Sequence, residues 1–360
     1  MKLTFRWYGP DDDVSLEKIS QIPGISGIVS AVYDVPPGKL WPWQSIEKLK
    51  SEAARFNLGF EVVESVPVHE EIKLGGPRAE EYTDIYCQNI RILGKAGVKV
   101  ICYNFMPVFD WLRSSLNQQN EDASFSLAYI DKEIALMNPM SGSLALPGWD
   151  QSYTKEQLGA LLKRYEQIDQ NTLWRNYARF LDKVVPAAEE SGVCLAVHPD
   201  DPPWPVFGLP RIITDIESFK KLRSINSSPY NGITLCTGSL GANPRNDIIK
   251  IIEDFSERIH FVHLRNIKNL GEKDFCETAH PSGCGSLDMA RIVFSLVKKN
   301  FTGYVRPDHG RMIWGETGRP GYGLYDRALG ASYINGLFEA AEKFRDNSFY
   351  CNKMKRSNTI

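Results

Sequence analysis

Residues 193–203 read VCLAVHPDDPP. Small and branched apolar side chains run straight into a histidine, two aspartates and three prolines. The first half has the composition of a buried strand. The second half cannot continue it, because proline fixes its own φ and gives no N–H to a ladder. A strand that stops on His198 has two readings. Either the histidine stands in a surface turn, or the strand delivers it to the rim of a sheet.

The surrounding pattern supplies the context. Seven more β-rich runs recur along the chain: LTFRW (3–7), ISGIVSAVY (25–33), FEVVESV (60–66), VKVICY (98–103), GITLCT (232–237), IHFVHL (259–264) and GYVRPD (303–308). Helical patterns separate most of them. SIEKLKSEAARF carries a Ser45 cap, RAEEYTDIYCQNIRILGKAG stops at Gly97, and TLWRNYARFLDKVVPAAEESG stops at Gly192. DIESFKKLRSI and DIIKIIEDFSE have acidic starts. Strand–helix alternation predicts βαβ units and a parallel sheet. Eight such strands predict an α/β fold of the closed (β/α)₈ TIM-barrel type, with residues 1–360 as a single domain. Residues 112–171, after the fourth strand, are too many for a barrel loop. They are expected to form an inserted, partly helical segment over the C-terminal face, as a lid or a subunit contact.

Bulk properties remove several classes. Hydrophobic residues make up 42% and charged residues 24%, enough for a large core in a globular chain. A net charge of −2 offers no basic footprint, so a nucleic-acid partner is not expected. No run of about 18 apolar residues suggests a membrane span, and MKLTFRWYGPDDD lacks the apolar stretch of a leader. The seven cysteines form no CxxC pair, which fits free thiols in a cytoplasmic protein. TGSLGANP (237–244) and PSGCGS (281–286) match neither a P-loop nor a dinucleotide fingerprint, and there is no GxSxG elbow.

In a barrel of this kind, chemistry gathers where the strands end. Strand five ends in His198, strand six in Cys236, strand seven in His263 and strand eight in Asp308. Side chains alternate along a strand. Cys194, Ala196 and His198 share one face; so do Thr234 with Cys236, Phe261 with His263, and Tyr304 with Arg306 and Asp308. One consistent parity therefore turns all four end residues to the inner rim. Each alone has an ordinary explanation: a loop histidine, a buried small hydrophobe, a helix cap. Their placement on four successive strands points instead to a metal. The thiolate favours zinc or iron(II), and the carboxylate suits manganese. Other rim residues supply substrate contacts: Trp7 and Tyr8 after strand one, Glu64 and His69 after strand three, and Asn104 after strand four. Asp200, Arg265 and Arg311 add polar groups suited to a polyhydroxy acid.

The motifs RWYGPDD, ESVPVHEEIK, CYNFMPVFDW, AVHPDDPPWPVFGLPRI, LCTGSLG, HFVHLRN and RPDHG, taken in this order, resemble the mannonate dehydratases of hexuronate (glucuronate) catabolism. The resemblance runs from Thr4 to about Leu337. It implies a xylose-isomerase-like barrel and a divalent cation, Mn²⁺ or alternatively Fe²⁺, held by His198, Cys236, His263 and Asp308. It further implies dehydration of D-mannonate to 2-keto-3-deoxy-D-gluconate by a hydro-lyase. For that reaction the candidate acid and base are His309, Tyr325 and Tyr322, with Tyr325 and His309 preferred. Arg311 serves as an electrostatic helper and, with Arg265, orients the carboxylate. A homo-oligomer, a dimer, is expected. The competing readings are a metal-dependent sugar isomerase on the same barrel and a non-catalytic sugar-acid-binding protein. Neither would release a 2-keto-3-deoxy acid from an aldonate.

Overall fold

All eight apolar runs form strands, and the strands close on one another. The computed structural model describes residues 1–140 and 153–357, with side chains up to residue 345. The barrel strands are β1 (Lys2–Arg6), β2 (Ile25–Ser30), β3 (Gly59–Glu64), β4 (Val100–Tyr103), β7 (Cys194–Val197), β8 (Asn231–Cys236), β9 (Ile259–Leu264) and β12 (Tyr304–Pro307). They follow that order around the barrel, and β12 pairs back onto β1 through Lys2↔Tyr304 and Leu3↔Val305. Every barrel pairing is parallel. The helices between strands supply the crossovers that parallel pairing requires.

Alternation sorts the side chains as the pattern predicts. Val29, Val62, Val100, Cys102, Ala196 and Phe261 fill the barrel interior. Phe5, Ile28, Val63, Ile101, Leu195, Leu235, Val262 and Val305 point the other way, into the layer beneath the helices. Register then fixes which rim residues are neighbours. Cys236 pairs with His263, and His263 with Arg306, across three adjacent strands. Glu64 stands beside Cys102 on the adjacent pair β3 and β4, across the barrel from them.

Helix boundaries follow local chemistry. Asp169 caps the helix Gln170–Ser191, and Gly192, at φ +62°, closes it in a conformation that a side chain disfavours. Asp215 and Ser218 form a reciprocal capping box for Ile216–Ile225. The helix expected to start at Ser45 begins instead at Trp43. Pro42, with φ −63°, presets the entry turn there without a side-chain cap.

The segment after β4 contains two elements that periodicity did not reveal. β5 (Ser115–Gln119) and β6 (Phe125–Tyr129) form a hairpin ahead of the helices Asp131–Leu136 and Lys155–Tyr165. β6 pairs with β11 (Phe275–Glu277), which pairs with β10 (Ile267–Asn269) in the loop after β9, giving a four-stranded antiparallel sheet. Backbone bonds also tie Phe125 to Met312 after β12, and Leu112 to Asp201 after β7. The hairpin is thus anchored to loops at the carboxyl ends of three barrel strands. Residues 141–152, part of the segment expected to cover that face, lie outside the described residues. Among the described residues no helix is long and apolar enough to cross a membrane.

Candidate active site

A cavity of about 530 Å³ opens at the carboxyl ends of the strands, within the range of small-molecule sites. His198, Asp308 and His309 line it, as do Asn104, Asp201, Arg265 and Tyr322. Tyr8, Trp111 and Tyr103 give it aromatic walls.

The four residues at the ends of β7, β8, β9 and β12 converge. Nε2 of His198 is 3.2 Å from Nδ1 of His263. A ligand atom from each of His198, Cys236 and His263 lies within 4.8 Å of the others. The Cys236 thiol is 3.6 Å from Oδ2 of Asp308, whose Oδ1 is 4.0 Å from Nδ1 of His263. Nδ1 of His198 contacts the Pro199 carbonyl at 2.6 Å, which orients the ring and leaves Nε2 facing His263. Asp308 is also paired with Arg306 at 2.8 Å. Burial alone would raise the Asp308 carboxyl, but Arg306, His309 and Arg265 hold it well below the usual carboxylate range.

Glu64, Cys102 and His263 form a second close group. It suits a cation poorly. Burial pushes the Cys102 thiol well up, and Arg6 and Arg306 already stand against Glu64.

Asp201 and Arg265 at the cavity wall belong to a buried ion network that extends behind it. Arg113, fully buried, grips Asp201 at 2.8 and 3.0 Å and Glu277 at 2.8 Å. Arg265 joins the same two carboxylates at 2.9 Å each. Burial favours the neutral acids, yet the two guanidiniums hold Asp201 and Glu277 below the usual carboxylate range, His309 contributing first at Glu277. Arg265 fits only because residue 238 is glycine, where a Cβ would lie 2.0 Å from its Nε. Removing one member strands buried charge. Arg113→Met is therefore expected to destabilise the fold by about 3–5 kcal/mol. Urea unfolding of the variant beside the wild type measures this, and an unchanged midpoint would refute it.

Glu277 Oε1 and Nδ1 of His309 are 2.8 Å apart, and Nε2 of His309 is 2.8 Å from the Tyr322 hydroxyl. Burial, then Tyr8 and Asp308, push the Tyr322 phenol well above its ordinary value. The result is a protonated phenol touching an imidazole inside the cavity.

Five sequence-chosen residues fall elsewhere. Tyr325 is 43% exposed, starts the helix Tyr325–Ser357, and packs on Trp314 outside this cavity. Arg311 does not line the cavity; it is held by Asp326 and Asp122 at 2.9 and 2.6 Å. Trp7 is buried in the outer core, and its neighbour Tyr8 lines the cavity instead. His69 caps the short helix Glu70–Leu74 and stacks on Tyr82, 3.7 Å between ring centres. Asp200 is fully buried and accepts from the Ile212 and Ile213 amides, whereas Asp201 lines the cavity. Asn104 does line the cavity and bonds Asp110 at 3.0 Å. Arg6, Arg306, Trp111 and Glu277 were not singled out. For Arg6 and Arg306 the signal was present: each lies on the same strand face as an inward neighbour, Thr4 or Tyr304.

Residues 1–348 match the family model described as D-mannonate dehydratase (UxuA). The chain is 52% identical over 342 residues to mannonate dehydratase 2 of Halalkalibacterium halodurans, covering 94% of this chain and 99% of that one. The crystal structure of mannonate dehydratase from Streptococcus suis serotype 2 superposes with a TM-score of 0.90 at 46% identity, covering 96% of each chain. A xylose isomerase domain protein from Planctomyces limnophilus aligns over 96% of this chain and 98% of its own, with a TM-score of 0.54 at 9% identity, a likeness of fold alone.

Proposed function

The chain belongs to the D-mannonate dehydratase family, and on that premise we propose how its cavity removes water from the substrate. The reaction is the dehydration of D-mannonate. A proton leaves C2 and hydroxide leaves C3, and the resulting enol tautomerises to 2-keto-3-deoxy-D-gluconate. The C2–H beside a carboxylate is a very weak acid, and hydroxide is a poor leaving group. The site must therefore stabilise charge at the acid end, accept one proton and donate another.

The observation that carries the residue assignment is the His309–Tyr322 contact, 2.8 Å, in the cavity that His198 and Asp308 also line. On this reading the Tyr322 phenol gives its proton to the departing C3 hydroxyl, and His309 takes the proton from C2. Trp111 packs against His309, 4.9 Å between ring centres, and limits water there. Asn104 and Asp201 offer polar contacts to sugar hydroxyls.

The donor set fits a divalent cation. Two imidazole nitrogens bound to one ion stand about 3.0–3.4 Å apart, and His198 and His263 present theirs at 3.2 Å. His198, Cys236, His263 and Asp308 would hold Mn²⁺ or Fe²⁺, which supplies a Lewis acid toward the substrate's acid end. The test is reconstitution. Chelator-stripped protein is expected to lose 2-keto-acid release from D-mannonate and to regain it with Mn²⁺ or Fe²⁺. Recovery with none of Mn²⁺, Fe²⁺ or Zn²⁺ would sink the metal reading.

A further inference from the structure

We propose that Arg6 receives the carboxylate of the substrate and is the residue that makes this cavity choose a sugar acid over a neutral sugar. The identity of the acid rests on the dehydratase reading; the assignment of Arg6 rests on the state of its side chain. Arg6 ends β1, lines the cavity and is only 7% exposed. Nε and Nη1 have no hydrogen-bond partner among the described residues. A buried polar donor without a partner is uncommon and costly, and it calls for a ligand. Its nearest anion is Glu64, with Nη1 3.3 Å from Oε2, a contact without hydrogen-bond geometry. That carboxylate is already shared with Arg306, at 3.0 Å, and lies 3.5 Å from His263.

The other two buried guanidiniums of the cavity each already donate a hydrogen bond to a carboxylate. Arg265 is spread over Asp201, Glu277 and Ser239. Arg306 donates from Nη2 to Glu64 at 3.0 Å and is ion-paired with Asp308 at 2.8 Å, although its Nε and Nη1 also lack hydrogen-bond partners among the described residues. Arg6 differs in making only the ion-pair contact to Glu64. Arg311, which the sequence suggested for the carboxylate, is outside the cavity and bonded to Asp122 and Asp326. Arg319 is exposed and also lines the cavity, with its guanidinium 4.0 Å from the Tyr8 ring centre; that of Arg6 lies 4.8 Å from the same ring. An entering acid therefore meets an exposed cation at Tyr8 before the buried one. A carboxylate has two oxygens with the spacing of a guanidinium fork, and a hydroxyl cannot match both bonds or the charge.

The test uses manganese-supplemented enzyme, D-mannonate as substrate and D-mannitol, the neutral polyol of the same carbon chain, as competitive inhibitor. Arg6→Met is expected to raise KM for D-mannonate on the order of 30–100-fold, while inhibition by D-mannitol changes by less than about 3-fold. Arg6→Lys, which keeps the charge and most of the stem, should fall between and reads the same contrast if Arg6→Met does not fold. A KM within about 3-fold of wild type, or a parallel loss of D-mannitol inhibition, overturns the assignment. Calorimetry of D-mannonate on wild type and Arg6→Lys separates the two readings. Binding without turnover in the wild type, weakened in the variant, ends the dehydratase reading and supports Arg6. Turnover with KM unchanged in the variants ends the assignment of Arg6 alone.

Discussion

Tyr322→Phe is expected to lower kcat on D-mannonate by about 10²–10⁴-fold, the usual worth of a positioned acid, with KM little altered. The change removes one oxygen, and it is the oxygen in contact with Nε2 of His309. The ring would still pack edge-on against Tyr8, 4.9 Å between centres, so the cavity wall should persist. Tyr325→Phe is the control, because that ring lies outside the cavity. It should keep kcat within about 3-fold of wild type. Steady-state rates of 2-keto-acid release for the two variants decide the matter. The opposite ranking would move the acid to Tyr325.

Cys236→Ser tests the metal centre with a change of a single atom. A serine hydroxyl is a far poorer ligand than a thiolate for a borderline-soft ion. Replacing a group that touches the ion should cost more than the 10–100-fold typical of groups one layer out. We expect cation affinity to fall by about 10²-fold or more, and turnover with it at limiting metal. Cys102→Ser is the comparison. Cys102 is also buried in the barrel interior, but Thr234 donates to its sulfur and it groups with Glu64 and His263 rather than with His198 and Cys236. It should retain metal. Elemental analysis after dialysis gives the occupancy directly, and full occupancy in Cys236→Ser would dismantle the four-residue centre.

The part of this site legible in the sequence is the part governed by strand alternation. Once eight strands were counted, a period of two placed His198, Cys236, His263 and Asp308 on one rim, because pleating permits no other sorting. The same rule applied to strand one would have chosen Arg6 over Trp7, since Thr4 and Arg6 share the inward face. Residues beyond the strand ends escaped it. Tyr322 and Tyr325 are three apart, and only the path of the loop decides which one enters the cavity. Asp200 and Asp201 are adjacent, and the backbone turn sends one to the Ile212 and Ile213 amides and the other to the arginines. Glu277 was not legible at all. It ends β11, whose Phe275 and Cys276 pair with Tyr129 and Ala128 of β6, a pairing between two short segments far apart in the chain.

That pairing bears on how the molecule is made. Arg113 and Glu277 are separated by 164 residues. At a synthesis rate of about 5–20 residues per second, Arg113 leaves the ribosome roughly 8–33 seconds before its second carboxylate exists. Asp201, 88 residues downstream, arrives in between. A nascent chain therefore carries Arg113 without a carboxylate partner until Asp201 is made, and can close the ion network only once Glu277 has followed. The catalytic pocket should be among the last regions to become protease-resistant on the ribosome, well after the first barrel strands have paired.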